Sequence, residues 1–314
     1  MVDFTVVVPL YNKQDFVESA LQSICEQTVS NIEILVVNDC STDKGIDKVR
    51  KLKDSRIRII DHDRNKGLSA ARNTGIKNAN SDNIAFLDAD DLWKPDFLEK
   101  ISQLMKLFPE GGLFATAYEE IHAGQIAVKT KNNVLLKTEE MAILDDFFYA
   151  AAKQPILWYG STVVKRKVFE KVGYFDENIT WFEDVDFNIR AALEFKVAYY
   201  NKTCALYTIE SQNQITRTNI DKRIVCDLSK YDKFATSNKS LKLFLDVNRY
   251  ALAMDYKLAG SVKKSKMIAS QIDIRNLTKL QIILLKSNVN IVRFLRKLKI
   301  SILRRGFRVT TFSR

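Results

Sequence analysis

Three carboxylates, Asp88, Asp90 and Asp91, fall within four positions directly after the apolar run Ile84-Ala85-Phe86-Leu87. Such a run reads as a buried parallel strand, which puts the acids where it leaves the sheet. In an open α/β sheet that carboxyl edge is where ligands bind. Close carboxylates resist being ionised together, and a divalent cation removes the difficulty. Clustered carboxylate oxygens suit Mg²⁺ or Mn²⁺, so a metal site is expected here. The plainer alternative makes Asp90-Asp91 the cap of a helix beginning near Pro95; it leaves Asp88 without a task. A second acidic pair, Glu183-Asp184, follows Trp181-Phe182 at the head of a helical pattern. There the bland reading is that first-turn acids complement the helix macrodipole.

The elements that position these acids follow from pattern. Thr5-Val6-Val7-Val8-Pro9-Leu10 is a β-branched run closed by proline, hence a buried strand with a sharp exit. Over 13–27, Phe16, Val17, Ala20, Leu21 and Ile24 share one helical face. A second strand at 32–37 turns through Asn38-Asp39-Cys40-Ser41-Thr42-Asp43 into a helix over 44–53, with Ser41 or Thr42 expected as its cap. A third strand at 56–60, a helix opened by Asn65-Lys66-Gly67 and the strand at 84–87 complete the half. Three βα units in succession predict a parallel sheet with right-handed crossovers. Past Pro95 the pattern predicts a helix over 96–107, a strand over 113–118, a hairpin at 122–125 and a helix over 138–150. A strand at 160–164 and a short helix stopped by Gly173 follow, then the acid-headed helix to about Phe195 and separate strands at 197–200 and 205–208. From about 221 the period is helical throughout. Residues 1–218 therefore read as an α/β domain and 219–314 as a helical extension.

At 314 residues, 46% hydrophobic and 28% charged, the composition is that of an ordinary soluble globular protein. The longest apolar runs are too short to span a bilayer. Met1-Val2-Asp3-Phe4 runs straight into a strand, without the regions of a signal peptide. Cys25, Cys40, Cys204 and Cys226 lack metal spacing and read as free thiols of a reducing cytoplasm. His62 and His122 also lack ligand spacing and are expected at the surface.

The net charge of +11 is local. Residues 274–314 hold eleven Lys and Arg and no acid, which leaves 38 basic against 38 acidic residues in 1–273. A neutral body with a basic tail marks a docking surface for nucleic acid or an anionic membrane. On a helical projection Ile291, Phe294, Leu295, Leu298 and Ile302 fall in one sector, opposite Arg293, Arg296, Lys297 and Arg304. That is the layout of a basic amphipathic helix lying in a membrane interface; the alternative is that the stripe packs on the body.

Taken together, the motifs carry a resemblance. Val7-Val8-Pro9-Leu10-Tyr11-Asn12, Val37-Asn38-Asp39-Cys40-Ser41-Thr42-Asp43 and Asn65-Lys66-Gly67-Leu68-Ser69-Ala70-Ala71-Arg72-Asn73 resemble the family 2 glycosyltransferases. Asp88-Ala89-Asp90-Asp91 resembles that family's DXD motif and Trp181-Phe182-Glu183-Asp184 its ED motif. The likeness covers about residues 3–215, with the motifs in order and on the expected elements. It implies an α/β GT-A fold, a Rossmann-like mixed sheet flanked by helices, followed here by the C-terminal helical extension. It also implies inverting transfer of one hexosyl or N-acetylhexosaminyl unit from a nucleotide diphosphate sugar to an acceptor hydroxyl, in capsule or lipopolysaccharide synthesis.

By the same resemblance, Asp184 is the base and Asp90 holds Mn²⁺ or Mg²⁺. Pro9, Tyr11, Asp39, Arg72, Asp88 and Ala89 bind the nucleotide-sugar, and Trp181 and Glu183 meet the acceptor. The chemistry agrees: charge building on a departing diphosphate needs neutralising, and the incoming hydroxyl needs a carboxylate within reach. One such carboxylate suffices for inversion, whereas retention by double displacement needs a second, nucleophilic one. A carboxylate at Asp39 suits a uracil imide N–H, and the fork of Arg72 suits a carbonyl or phosphate oxygen, which leans the donor to a UDP-sugar.

Two departures stand out. The segment where relatives place a further ligand, often His, reads Thr208-Ile209-Glu210-Ser211-Gln212-Asn213-Gln214-Ile215-Thr216-Arg217, without histidine. The QXXRW motif of processive members is also missing, which favours adding a single sugar. A glycan or lipid-linked acceptor is expected, with the enzyme cytoplasmic and peripheral on the inner face of the membrane. A sugar nucleotidyltransferase would need a glycine-rich loop after strand one, and Pro9-Leu10-Tyr11-Asn12-Lys13-Gln14 has no glycine. A nucleic-acid binder would need glycine-aromatic interleaving in the tail, which is lacking. No nucleic-acid partner is expected.

Overall fold

The computed structural model describes residues 2–122, 126–209 and 219–308. Strands β1 (Phe4–Leu10) and β2 (Ile32–Asn38) are buried along their whole length. With β3 (Ile57–Asp61) and β4 (Asn83–Phe86) they form a parallel half-sheet in the order β3-β2-β1-β4. Alternation decides which core each residue feeds. Val6, Val8 and Leu10 point to one cluster and Val7 to the other, as the period of two requires. Helices α1 (Val17–Cys25), α2 (Gly45–Lys51) and α3 (Leu68–Asn78) make the crossovers. Gly75 of α3 lies against β1 so closely that a Cβ there would sit 2.2 Å from Val7 Cγ1.

Beyond β4 the sheet turns mixed. A two-residue strand, β5 (Leu92–Trp93), separates the acids from α4 (Phe97–Leu107). Asp90 and Asp91 therefore cap nothing; the residue at the head of α4 is Asp96. The sheet continues through β6 (Leu113–His122), β7 (Ile126–Lys129) and β8 (Met141–Ile143). After α5 (Phe147–Ala151) come β9 (Thr162–Lys165), α6 (Arg166–Val172), α7 (Glu183–Glu194) and β10 (Val197–Thr208). Strand β9 runs antiparallel to β4 and β6, while β10 runs parallel to β6.

Three expectations fail here. Residues 138–150 are not one helix: Met141, Ala142 and Ile143 pair with β10, and the helix starts only after Asp146, whose side chain accepts from Tyr149 N. The strands at 197–200 and 205–208 are one strand with irregular register between Tyr200 and Ala205. A bulge lets polar Asn201-Lys202-Thr203 stay in the ladder. Nor does Ser41 or Thr42 cap α2; Asp43 Oδ1 accepts from Gly45 N at 2.9 Å.

The helical remainder comprises α8 (Asp232–Ala235), α9 (Lys239–Ala259), α10 (Val262–Ala269), α11 (Lys279–Lys286) and α12 (Val289–Leu303). Its first part shares the core of the body: Ile220, Leu228, Tyr231, Leu241, Phe244 and Leu245 join the cluster that holds Val7 and Phe86. On α12 only Val292 and Leu303 are buried, while Ile291, Phe294, Leu295 and Leu298 of the apolar stripe face solvent. No helix among the described residues is long and apolar enough to cross a membrane.

Candidate active site

The exits of β1 and β2 are locked together by side chains. Asn12 and Cys40 take the left-handed backbone, φ 51° and 60°, which Asn tolerates better than most residues. Asn12 Oδ1 accepts from Thr42 N at 2.8 Å, and Asp43 Oδ2 accepts from Gln14 N at 2.8 Å. Between these loops Asp39 is buried. Its oxygens accept from Lys66 N and Gly67 N, both at 2.8 Å, and meet His62 Nδ1 at 2.7 Å. The far nitrogen of His62 meets Thr74 Oγ1 at 2.9 Å. Asp39 thus fixes the loop that opens α3, where Gly67 at φ 91° makes the turn. Tyr11 stays 43% exposed, its ring available at the lip.

At the exit of β4 the three acids part company. Arg72 Nη2 reaches Asp88 Oδ1 at 3.2 Å, and Lys13 Nζ reaches Asp90 Oδ2 at 2.6 Å. Asp91 turns inward, where its Oδ1 accepts from Thr208 N at 2.7 Å and pins the end of β10. Burial, with Asp90 and Asp88 nearby, pushes the Asp91 carboxyl well above the ordinary range.

Arg72 is the hub. Its side chain is 4% exposed, it faces Asp88 on one side and Glu183 Oε1 at 3.8 Å on the other, and its guanidinium lies 4.9 Å from the Tyr159 ring. Asp88 at the exit of β4 and Glu183 at the head of α7 are therefore joined through one buried cation. Phe182, at φ 66°, bends the chain into α7, a strained conformation of the kind that gathers at functional sites. Burial and the neighbouring Asp184 raise the Glu183 pKa to about 7, with Arg72 opposing. Burial also raises Asp184, against the pull of Arg72. Asp186, one turn on, faces away: it is held by Arg190, Lys230 and Tyr231 and fastens α7 to the helical remainder. Trp181 stacks beside Phe182, and its buried indole N–H has no partner among the described residues.

These groups line one cavity of about 960 Å³. Its wall includes Pro9, Tyr11, Asp39, Arg72, Asp88 and Ala89, as well as Asp90, Trp181, Glu183 and Asp184. Every residue expected at the site lines this cavity; Asp91 does not. Sequence reasoning missed Lys13, Tyr159 and the buried Asp39–His62 pair. Both histidines were expected at the surface, yet their side chains are only 5% and 6% exposed. The pairing of a polar loop histidine with a turn acid has no local sequence signal.

The carboxylates of the site are of the type a hard divalent cation takes, but among the described residues they are not gathered into a ligand cluster. Asp88, Asp90, Glu183 and Asp184 face one cavity with Lys13 and Arg72 as counter-charges, and the acids outnumber the cations. Carboxylate oxygens of this kind suit Mg²⁺ or Mn²⁺. No cluster of three or more His, Cys, Asp or Glu able to hold a metal occurs among the described residues. The segment where relatives place a further ligand, including Glu210, Gln212 and Arg217, lies outside the described residues beyond Ile209.

Comparison with known proteins bears on this geometry. The family model "Glycosyl transferase family 2" matches residues 5–173. The uncharacterized glycosyltransferase EpsJ of Bacillus subtilis is 32% identical over 197 residues, 60% of this chain and 56% of its own length. In Escherichia coli, the UDP-Glc:alpha-D-GlcNAc-diphosphoundecaprenol beta-1,3-glucosyltransferase WfgD is 39% identical over 103 residues, 32% of this chain and 41% of its length. The matches thus span about half the length of these relatives. Staphylococcus aureus TarS 1–349 in complex with UDP-GlcNAc superposes with a TM-score of 0.61 at 16% identity, over 96% of this chain and 90% of that one. That likeness is one of fold, and the fold is GT-A.

Proposed function

The chain belongs to glycosyl transferase family 2, and we propose that it moves one sugar, with inversion, from a UDP-sugar to a hydroxyl of a glycan or lipid-linked acceptor. The observation that carries this reading is the single cavity in which the β4 acids and the Glu183-Asp184 pair face each other across buried Arg72. Its volume suits a nucleotide-sugar together with part of an acceptor.

The steps follow from the residues. Tyr11 offers its ring to the base, and Pro9 and Asp39 shape the slot beneath it. Asp90 and Asp88 would hold Mn²⁺ or Mg²⁺, which supplies neutralisation of the charge that builds on the departing diphosphate. Asp184 takes the proton of the acceptor hydroxyl. The acceptor oxygen then bonds to the anomeric carbon from the face opposite the diphosphate, whose bond breaks. Burial of Asp184 makes it a stronger base than a free aspartate, which favours proton transfer near neutral pH. Glu183 binds an acceptor hydroxyl, and Trp181 gives a flat face to a sugar ring.

WfgD, whose name states a UDP-glucose donor and a diphosphoundecaprenol-linked acceptor, supports surface-polysaccharide synthesis as the setting. The exposed stripe of α12, flanked by Arg293, Arg296 and Lys297, supports peripheral docking on the cytoplasmic face of an anionic membrane. The test is a panel of nucleotide-sugars scored for nucleoside diphosphate release with Mn²⁺ or Mg²⁺ and with excess chelator. Metal-dependent release from a UDP-sugar is expected; release from no nucleotide-sugar in the panel would overturn the reading.

A further inference from the structure

The cavity continues past the acids. Its lining also includes the segment around α5, α9, and Lys299 and Arg308. Phe147, Phe244, Val247 and Ala251 give that end an apolar lining, and Lys153, Lys299 and Arg308 bring positive charge. Phe147 and Phe244 are buried, with rings 6.2 Å apart. Ala251 is exposed on α9, so the end opens outward. Arg308 is fixed by Glu120 and by Gln154 Oε1 at 3.2 Å. Its buried Nε has no hydrogen-bond partner among the described residues. The acids of the lining, Asp39, Asp88, Asp90, Glu177, Glu183 and Asp184, belong to the nucleotide and catalytic elements. With Arg308 paired to Glu120, Lys153 and Lys299 leave the α12 end positive, and the helix that supplies Lys299 also exposes Phe294 and Leu298.

We infer that this end is the subsite for an amphiphilic acceptor: Lys153, Lys299 and Arg308 hold its phosphate or diphosphate, and Phe147, Phe244 and Val247 line the path of its apolar chain. A phosphate needs cationic donors, and an alkyl chain needs a dry wall; this end of the cavity offers both. The sugar beyond the phosphate would then point toward Asp184. An acceptor drawn from a bilayer would enter beside the exposed stripe of α12. The inference rests on the glycosyltransferase reading and deepens it by assigning the acceptor class.

The test is calorimetry on the full chain with saturating UDP and Mn²⁺, which fills the nucleotide end. The probes are decyl diphosphate, inorganic pyrophosphate and phosphatidylglycerol vesicles. Decyl diphosphate should bind at least about tenfold more tightly than pyrophosphate, since several methylenes are buried. Lys153→Ala/Lys299→Ala should weaken both small probes about tenfold, the loss expected of two partly exposed charge contacts. Lys153→Arg/Lys299→Arg should restore them. Ala251→Trp, at an exposed site that tolerates bulk, should weaken decyl diphosphate alone. Equal binding of decyl diphosphate and pyrophosphate, or unchanged affinity in the double alanine variant, would overturn the subsite while leaving UDP binding and the donor reading intact. Vesicles that abolish the binding of pyrophosphate would reassign the anion site to bilayer headgroups and likewise overturn it. Failure of UDP itself to bind would sink the donor reading as well.

Discussion

Replacing Arg72 with methionine tests the electrostatic design of the site. The guanidinium is 4% exposed and serves Asp88 at 3.2 Å and Glu183 at 3.8 Å. Removing it leaves two carboxylates facing a cavity wall without their cation. Breaking a buried charge network on one side costs about 3–5 kcal/mol, or a fall in melting temperature of about 5–8 °C for a chain of this size. The loss should depend on pH. Burial and Asp184 raise Glu183 to about 7 in the folded chain, against about 4.3 when unfolded. Folding therefore takes up a proton in that window, and the stability this group contributes falls as pH rises through it. Arg72 holds the titrations of Glu183 and Asp184 down, so its removal extends the window upward. Each unit of extension adds about 1.4 kcal/mol to the deficit above the window. Thermal melts of Arg72→Met and wild type at about pH 5 and about pH 8 should show the larger deficit at the higher pH. Adding Glu183→Gln should recover part of it there. A deficit equal at both pH values would mean that Arg72 acts by packing under Tyr159 alone, and the reasoning would fail.

Other outcomes follow from the same geometry. Asp90→Asn should lose nearly all transfer, and excess chelator should silence the wild type; full turnover with chelator would remove the metal from Asp90 and Asp88. Gly75→Ala drives a methyl group to within 2.2 Å of Val7 Cγ1, so it should cost about 1–3 kcal/mol, read from chemical denaturation. Phe294→Ser/Leu298→Ser replaces side chains that are 67% and 48% exposed. It should leave the melting temperature within error while abolishing co-sedimentation with phosphatidylglycerol vesicles, and the wild type's sedimentation should weaken steeply as salt rises.

Much of the fold was legible because parallel strands buried on both faces are written as unbroken apolar runs. Val6-Val7-Val8 and Ile34-Leu35-Val36-Val37 admit little else. The acids after β4 were legible because carboxylates are costly at a sheet edge unless they have a use there, and Glu183-Asp184 stood out only through the family resemblance. What stayed hidden depends on partners far away in sequence. Met141-Ala142-Ile143 fits a helical period locally, and only the open edge of β10 makes it a strand. Asn201-Lys202-Thr203 looks like a loop until a bulge absorbs it. Asp91 looks like its neighbours, yet Thr208 N, 117 positions on, turns it inward. The far wall of the cavity comes from α9 and the end of the chain, which no motif connects to the acids.

The central claim is that Asp184 is the base of a site whose donor end lies elsewhere, at Asp90, Asp88 and Tyr11. One paired measurement addresses it: UDP-sugar affinity by calorimetry and transfer rate, both on Asp184→Asn. The account predicts donor affinity near that of the wild type and turnover lower by about 10²–10⁴, the range for losing a general base. Donor affinity lost along with turnover would move Asp184 into the nucleotide site, and wild-type turnover would remove it from the mechanism.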